Sequence, residues 1–118
     1  MAWTAEVTDE FEVWWNSLDE REQVSVDGMI RVLEAHGPTL GPPYSTQIDG
    51  SHYPQLKQLR VPHASRRLFC IYYVVDDMRS AVVLLSGSRA ETGQCPAEQV
   101  PVVDRVYTRY LSRREGQD

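Results

Sequence analysis

Apolar residues recur along this chain in two periods, helical near the ends and strand-like in the middle. Trp3-Thr-Ala-Glu-Val7 alternates weakly and predicts a short strand. Phe11, Trp14, Trp15 and Leu18 fall at helical spacing behind Thr8 or Asp9 as a cap, so a helix is expected over roughly 10–18. Asp19 followed three residues later by Glu22 is a capping-box start for a second helix. Its stripe is Val26, Met29, Ile30 and Leu33. His36-Gly37-Pro38 stops it: a last-turn His, a glycine free to take positive φ, then a breaker.

Pro38 to Pro54 is rich in Gly and Pro and reads as a long connection, of the kind that is often functional. Leu56–Val61, Leu68–Val75 and Ala81–Ser86 read as strands, the last two joined by a hairpin turn at Asp76-Asp-Met-Arg-Ser80. Pro96 suits a first helical position. Val100, Val103, Val106, Tyr107, Tyr110 and Leu111 then follow at helical spacing, with Pro101 breaking or restarting the pattern. The tail from Arg113 to Asp118 is polar and expected to fray. Repeats and low-complexity segments are absent from the sequence. The sum is an α+β fold: an N-terminal helical hairpin, a small antiparallel sheet and a C-terminal helix.

The length of 118 residues suits one domain spanning 1–118. The opening residues lack the basic and apolar regions of a signal peptide, and no apolar stretch nears the roughly 20 residues of a membrane span. Cys70 lies in an apolar strand and reads as a small hydrophobe. The two cysteines make no framework, so a reducing cytoplasm is expected. Charge changes the picture more. Residues 1–50 hold two cations and ten acids, 2 − 10 = −8, while 51–118 hold ten cations and seven acids, 10 − 7 = +3. A polyanion would meet the second half.

Within that half, Lys57-Gln-Leu-Arg60-Val-Pro-His63-Ala-Ser-Arg66-Arg67 carries four cations and no carboxylate, in a chain of net charge −5. On a strand, Lys57, Leu59 and Val61 share one face and Leu56, Gln58 and Arg60 the other. Arg67 opens the next strand, which would set Arg60 and Arg67 near one another. Arg89, in Ser86-Gly-Ser-Arg89, would complete a three-armed cluster able to hold phosphate bidentately. The same cations also read as edge-strand charges that discourage aggregation. Metal-ligand spacing, a phosphate-cradling Gly-rich loop and Gly-x-Ser-x-Gly are all missing from the sequence, so no metal and no cofactor is expected.

The order of elements, with Gly37-Pro-Thr-Leu-Gly-Pro-Pro43, Leu56-Lys-Gln-Leu-Arg60, Arg67-Leu-Phe, Val83-Leu-Leu-Ser-Gly87 and Val100-Pro-Val-Val-Asp-Arg-Val-Tyr107, resembles the HigB branch of the RelE/ParE toxins of type II toxin–antitoxin systems. The resemblance implies a RelE-like fold and cleavage of mRNA in the ribosomal A site without a metal. It also implies a cognate helix-turn-helix (HigA-like) antitoxin, with DNA reached only through that antitoxin. The chain departs from the pattern twice: Gln58 stands where the family has Glu, and Arg89 where it has Lys. Such a nuclease uses the substrate's 2′-hydroxyl as nucleophile and needs a base, an acid and cations around the phosphorane. Arg60 and Arg67 are the candidates for phosphorane charge and Arg89 or Lys57 for positioning. His63 or His52 is the candidate for proton transfer, and Lys57, His63 and Arg66 are candidates for RNA binding. Two other functions are compatible with the same fold: a non-catalytic ParE-type toxin that poisons a topoisomerase, and a degenerate antitoxin-binding scaffold.

Overall fold

A computed structural model describes residues 2–63, 67–91 and 93–115. Strand β1 (Thr4–Val7) leads into helix α1 (Asp9–Asn16) and helix α2 (Glu20–His36). Strands β2 (Ser45–Gln47), β3 (Lys57–His63), β4 (Arg67–Asp76) and β5 (Ala81–Ala90) follow, then helix α3 (Val100–Glu115).

The helix starts are set by local chemistry. Thr8 Oγ1 accepts from Phe11 N at 3.1 Å and donates to the Leu85 carbonyl at 2.7 Å, which ties the start of α1 to β5. At α2 the capping box closes as the spacing predicts: Asp19 accepts from Glu22 N at 2.9 Å and Glu22 accepts from Asp19 N at 2.8 Å. The helix ends at Gly37, whose φ of +54° favours glycine and where a Cβ would run into the Trp3 indole. In α3, Pro101 neither breaks nor restarts the helix. It sits in the first turn, where its missing N–H has no partner to lose. The helix also runs through Arg113 and Arg114, where fraying was expected, and Arg114 donates to Asp76 at 2.7 Å.

The sheet order is β1-β5-β4-β3-β2, antiparallel except for β1, which pairs parallel with β5 at one edge. β2 lies within the connection read as a loop; three residues are too few for a period to show. The helical hairpin covers one sheet face, where Phe11, Val26 and Leu33 meet Leu59, Val61, Phe69, Ile71, Tyr73, Val82 and Leu84. Helix α3 covers the other, with Val103, Val106 and Tyr107 against Leu68, Cys70, Tyr72, Val74, Val83 and Leu85. Both faces of β4 are therefore buried, which is why it reads as an unbroken apolar run.

Two features depart from the sequence expectation. Tyr72 pairs with Ser86 but Tyr73 pairs with Leu84, so Leu85 is an extra residue in β5, a β-bulge. Cys70 and Cys95 are bonded, with Cα atoms 5.9 Å apart across 25 positions of sequence. The pairing overturns the reading of Cys70 as an unpaired small hydrophobe. The β4–β5 hairpin folds the segment after β5 back over the α3 face of β4, a proximity that sequence separation conceals. No helix among the described residues is long and apolar enough to cross a membrane.

Candidate active site

The sheet divides the predicted arginines between its two faces. Arg60 pairs in register with Cys70, on the α3 side, whereas His63 pairs with Arg67, on the helical-hairpin side with Phe69. Adjacent strands thus do not bring Arg60 and Arg67 together: they lie three residues apart along the ladder and point to opposite faces. Arg60 Nη2 instead donates to the Gly93 carbonyl at 2.5 Å, beside the disulfide.

Arg89 joins Arg67. Before the bulge, the even positions Val82 and Leu84 of β5 face the helical hairpin. After it the parity reverses, and Arg89 pairs with Phe69 on that same face. Unbroken alternation would have sent Arg89 to the α3 side. Its guanidinium lies 5.8 Å from the Phe69 ring centroid and donates to Glu22 Oε1 at 3.0 Å. Arg67 Nη1 lies 4.0 Å from Glu22 Oε2. The imidazole of His63 packs 5.4 Å from the Phe69 ring, and its Nδ1 shares a 2.8 Å hydrogen bond with Ser25 Oγ. Trp14 packs against Phe69 from beneath α1, centroids 6.1 Å apart.

The result is a small constellation around Phe69 and Glu22: two guanidinium groups, one imidazole, and a carboxylate that is almost entirely buried (3% exposed). The arginine side chains remain 60% and 46% exposed at Arg67 and Arg89, so their outer N–H groups face solvent. Bidentate phosphate recognition is within the reach of such donors. The imidazole supplies ring nitrogens that can donate or accept a hydrogen bond.

The other candidates lie elsewhere. Lys57 is six residues from His63 on β3, about 20 Å along the strand. It borders a cavity with Pro38, Leu40 and Ser45. Arg66 lies outside the described residues. The amide of His52 donates to Asp104 Oδ2 at 3.0 Å, which fastens the long connection to α3, away from Phe69. Part of the basic half is spent internally. Arg79 pairs with Glu6, Arg109 with Glu10 at 3.1 Å and Arg113 with Asp9 at 3.9 Å, bringing the acidic N-terminal segment against α3 and its neighbours.

Sequence reasoning missed Glu22, Ser25 and Phe69 as members of the site. Glu22 was visible only as a cap and Phe69 only as core. Ser25 sits three residues after Glu22, hence on the same helix face, but nothing in the sequence ties it to His63 at a separation of 38.

Comparison with known proteins bears on this geometry. The family profile described as phage-derived protein, Gp49-like, matches residues 13–108. Two proteins of Mycobacterium tuberculosis (strain ATCC 25618 / H37Rv) that are assigned as toxins, HigB2 and HigB3, are each 31% identical to this chain. The HigB2 match covers 98% of this chain but only 57% of HigB2, so the chain spans little more than half of that relative; the HigB3 match covers 89% and 90%. A free-state mutant of E. coli toxin RelE superposes with a TM-score of 0.58 at 16% identity, over 96% of this chain and 98% of its own. The toxin of the RelBE2 toxin–antitoxin complex from Mycobacterium tuberculosis superposes with 0.59 at 16% identity, over 76% and 100%. At that identity the two structures speak for the fold.

Proposed function

The chain belongs to the Gp49-like family of HigB- and RelE-type toxins, and from that premise we propose that it is the toxin of a type II toxin–antitoxin pair, an endoribonuclease that cuts mRNA on the ribosome. The observation that carries this reading is the grouping of Arg67, Arg89 and His63 on one sheet face: Arg89 and His63 lie against Phe69, and Arg67 pairs in register with His63. Two guanidinium groups beside an imidazole are the side chains this chemistry calls for.

The 2′-oxygen of the substrate attacks the adjacent phosphorus. The O2′–P bond forms, the P–O5′ bond breaks, and a 2′,3′-cyclic phosphate and a 5′-hydroxyl leave. The proton lost by the 2′-hydroxyl goes to a base, and the 5′-oxygen takes one from an acid. Arg67 and Arg89 offset the charge that builds on the non-bridging oxygens. A guanidinium is a poor proton carrier, so the proton is assigned to His63, through Nε2, the ring nitrogen turned away from Ser25. The ribosome supplies the second proton-transfer partner and holds the mRNA in line. Lys57 extends the RNA contact along β3. Arg60, on the far face, takes no part in this step.

A cognate antitoxin is the protein partner, a reading supported by the structural neighbour solved as a toxin–antitoxin complex, and its helix-turn-helix (HigA-like) kind follows from the resemblance to the HigB branch. DNA is reached only through that partner. A ribosomal substrate places the chain in the cytoplasm, and the location rests on that alone, since the Cys70–Cys95 bond removes the cysteine argument for a reducing compartment.

Primer extension on translating ribosomes tests the proposal. The wild type is expected to cleave, and Arg89→Ala to cleave at least about a hundredfold more slowly, about 2.7 kcal/mol of barrier. Absence of cleavage by the wild type would overturn it.

A further inference from the structure

Glu22 does more than cap a helix. Its Oε1 accepts from both Asp19 N and Arg89 Nη2, while Oε2 is buried, 4.0 Å from Arg67, and without a hydrogen-bond partner among the described residues. A capping box is made as well by Gln as by Glu. Capping therefore gives no reason to bury a charge, and burying one with an unpartnered oxygen is costly. The two guanidinium groups do give a reason. They arise from adjacent strands on one sheet face, two ladder positions apart, since Arg89 pairs with Phe69. Unbalanced, they would repel one another, and their exposed side chains would swing apart into water.

We propose that Glu22 is the positioning residue that holds Arg67 and Arg89 as a paired clamp for one phosphodiester. One carboxylate between two guanidinium groups leaves a net charge of one plus, the complement of the single negative charge on a phosphodiester. The carboxylate accepts from Arg89 Nη2 and holds Arg67 Nη1 by charge at 4.0 Å, which leaves the remaining N–H groups for substrate. Because its Oε1 is also fixed by the Asp19 amide, the clamp is anchored to the first turn of α2 rather than to a free side chain. This inference rests on the nuclease reading for its substrate.

Removing the charge separates binding from catalysis. Glu22→Gln leaves two unbalanced cations, so RNA should bind no more weakly, while loss of fixed geometry slows the reaction. The expected result is a tenfold or greater fall in the maximal cleavage rate on programmed ribosomes. Affinity of the free toxin for a 2′-deoxy, uncleavable oligonucleotide should rise two- to threefold at low salt. Asp19→Ala, which breaks the box but leaves Glu22 beside both arginines, should lower the melting temperature without that split. A Glu22→Gln protein that cleaves as fast as wild type, or that loses rate and affinity together, would overturn the proposal. If the wild type itself does not cleave, the nuclease reading fails and the clamp is still decided. The Arg89 side-chain Nε–H signal in NMR should be resolved and slow to exchange in the wild type and averaged in Glu22→Gln. A wild-type signal already averaged would overturn the clamp.

Discussion

An imidazole transfers a proton usefully only when its ring is held in a productive orientation. At His63 the orientation is set by Ser25, whose hydroxyl meets Nδ1 at 2.8 Å, and by Phe69, against which the ring lies. Ser25→Ala should therefore slow cleavage about tenfold, about 1.4 kcal/mol, and shift the pH profile, while RNA affinity measured by anisotropy stays the same. An unchanged profile would take the proton-transfer role away from His63. His63 was one of two histidines the sequence offered for proton transfer. Its partner was not legible there, because a serine in an amphipathic helix carries no mark of what it will touch.

Within the elements, β5 decides the most. Its bulge at Leu85 reverses the alternation and turns Arg89 toward the helical hairpin. Two residues further on, Gly87 lies directly beneath Trp14, where an added Cβ would overlap the indole. Gly87→Ala should cost about 1–3 kcal/mol of stability, measured by urea unfolding, because Trp14 must move and Phe69 with it. A variant as stable as wild type would mean that the indole relaxes freely. β4 places Tyr72 and Tyr73 back to back, one in each core, and burial pushes both phenols up from 10.0 while Ser88 and Ser45 oppose it through hydrogen bonds. A raised folded value means that the native state keeps protons the unfolded chain has released. Stability is therefore intact below pH 10.0 and falls as pH rises beyond it. Denaturant melts between pH 9 and 11 should show that fall, and Tyr72→Phe should flatten it.

For the molecule as a whole, one covalent bond and one charge asymmetry matter. The Cys70–Cys95 bond closes 25 residues between β4 and the segment after β5, and constraining the unfolded chain in this way is worth about 3 kcal/mol. Cys95→Ser, or the wild type with a dithiol reductant, should melt at a correspondingly lower temperature. Equal melting of oxidised and reduced protein would count against a stabilising bond. The acidic first half and basic second half meet through Arg79–Glu6, Arg109–Glu10 and Arg113–Asp9. These pairs are solvent-exposed and each contributes little, but together they consume cations that the bare count offers to a polyanion.

The sequence by itself determined the elements and their order. Helical stripes, a capping box, a glycine stop and three apolar runs are local signals, read within a few residues of one another. It also determined that cations gather around β3 and β4. Only the tertiary structure decided which of them meet. Face depends on parity, parity depends on the bulge, and a bulge leaves no trace in an apolar run such as Val82-Val-Leu-Leu85. Arg60 and Arg67, seven positions apart, are separated by the sheet, while Glu22 and Arg89, 67 positions apart, are brought to 3.0 Å. Contacts of that separation are made by the folding of α2 onto β4 and β5, a packing choice that no local pattern encodes.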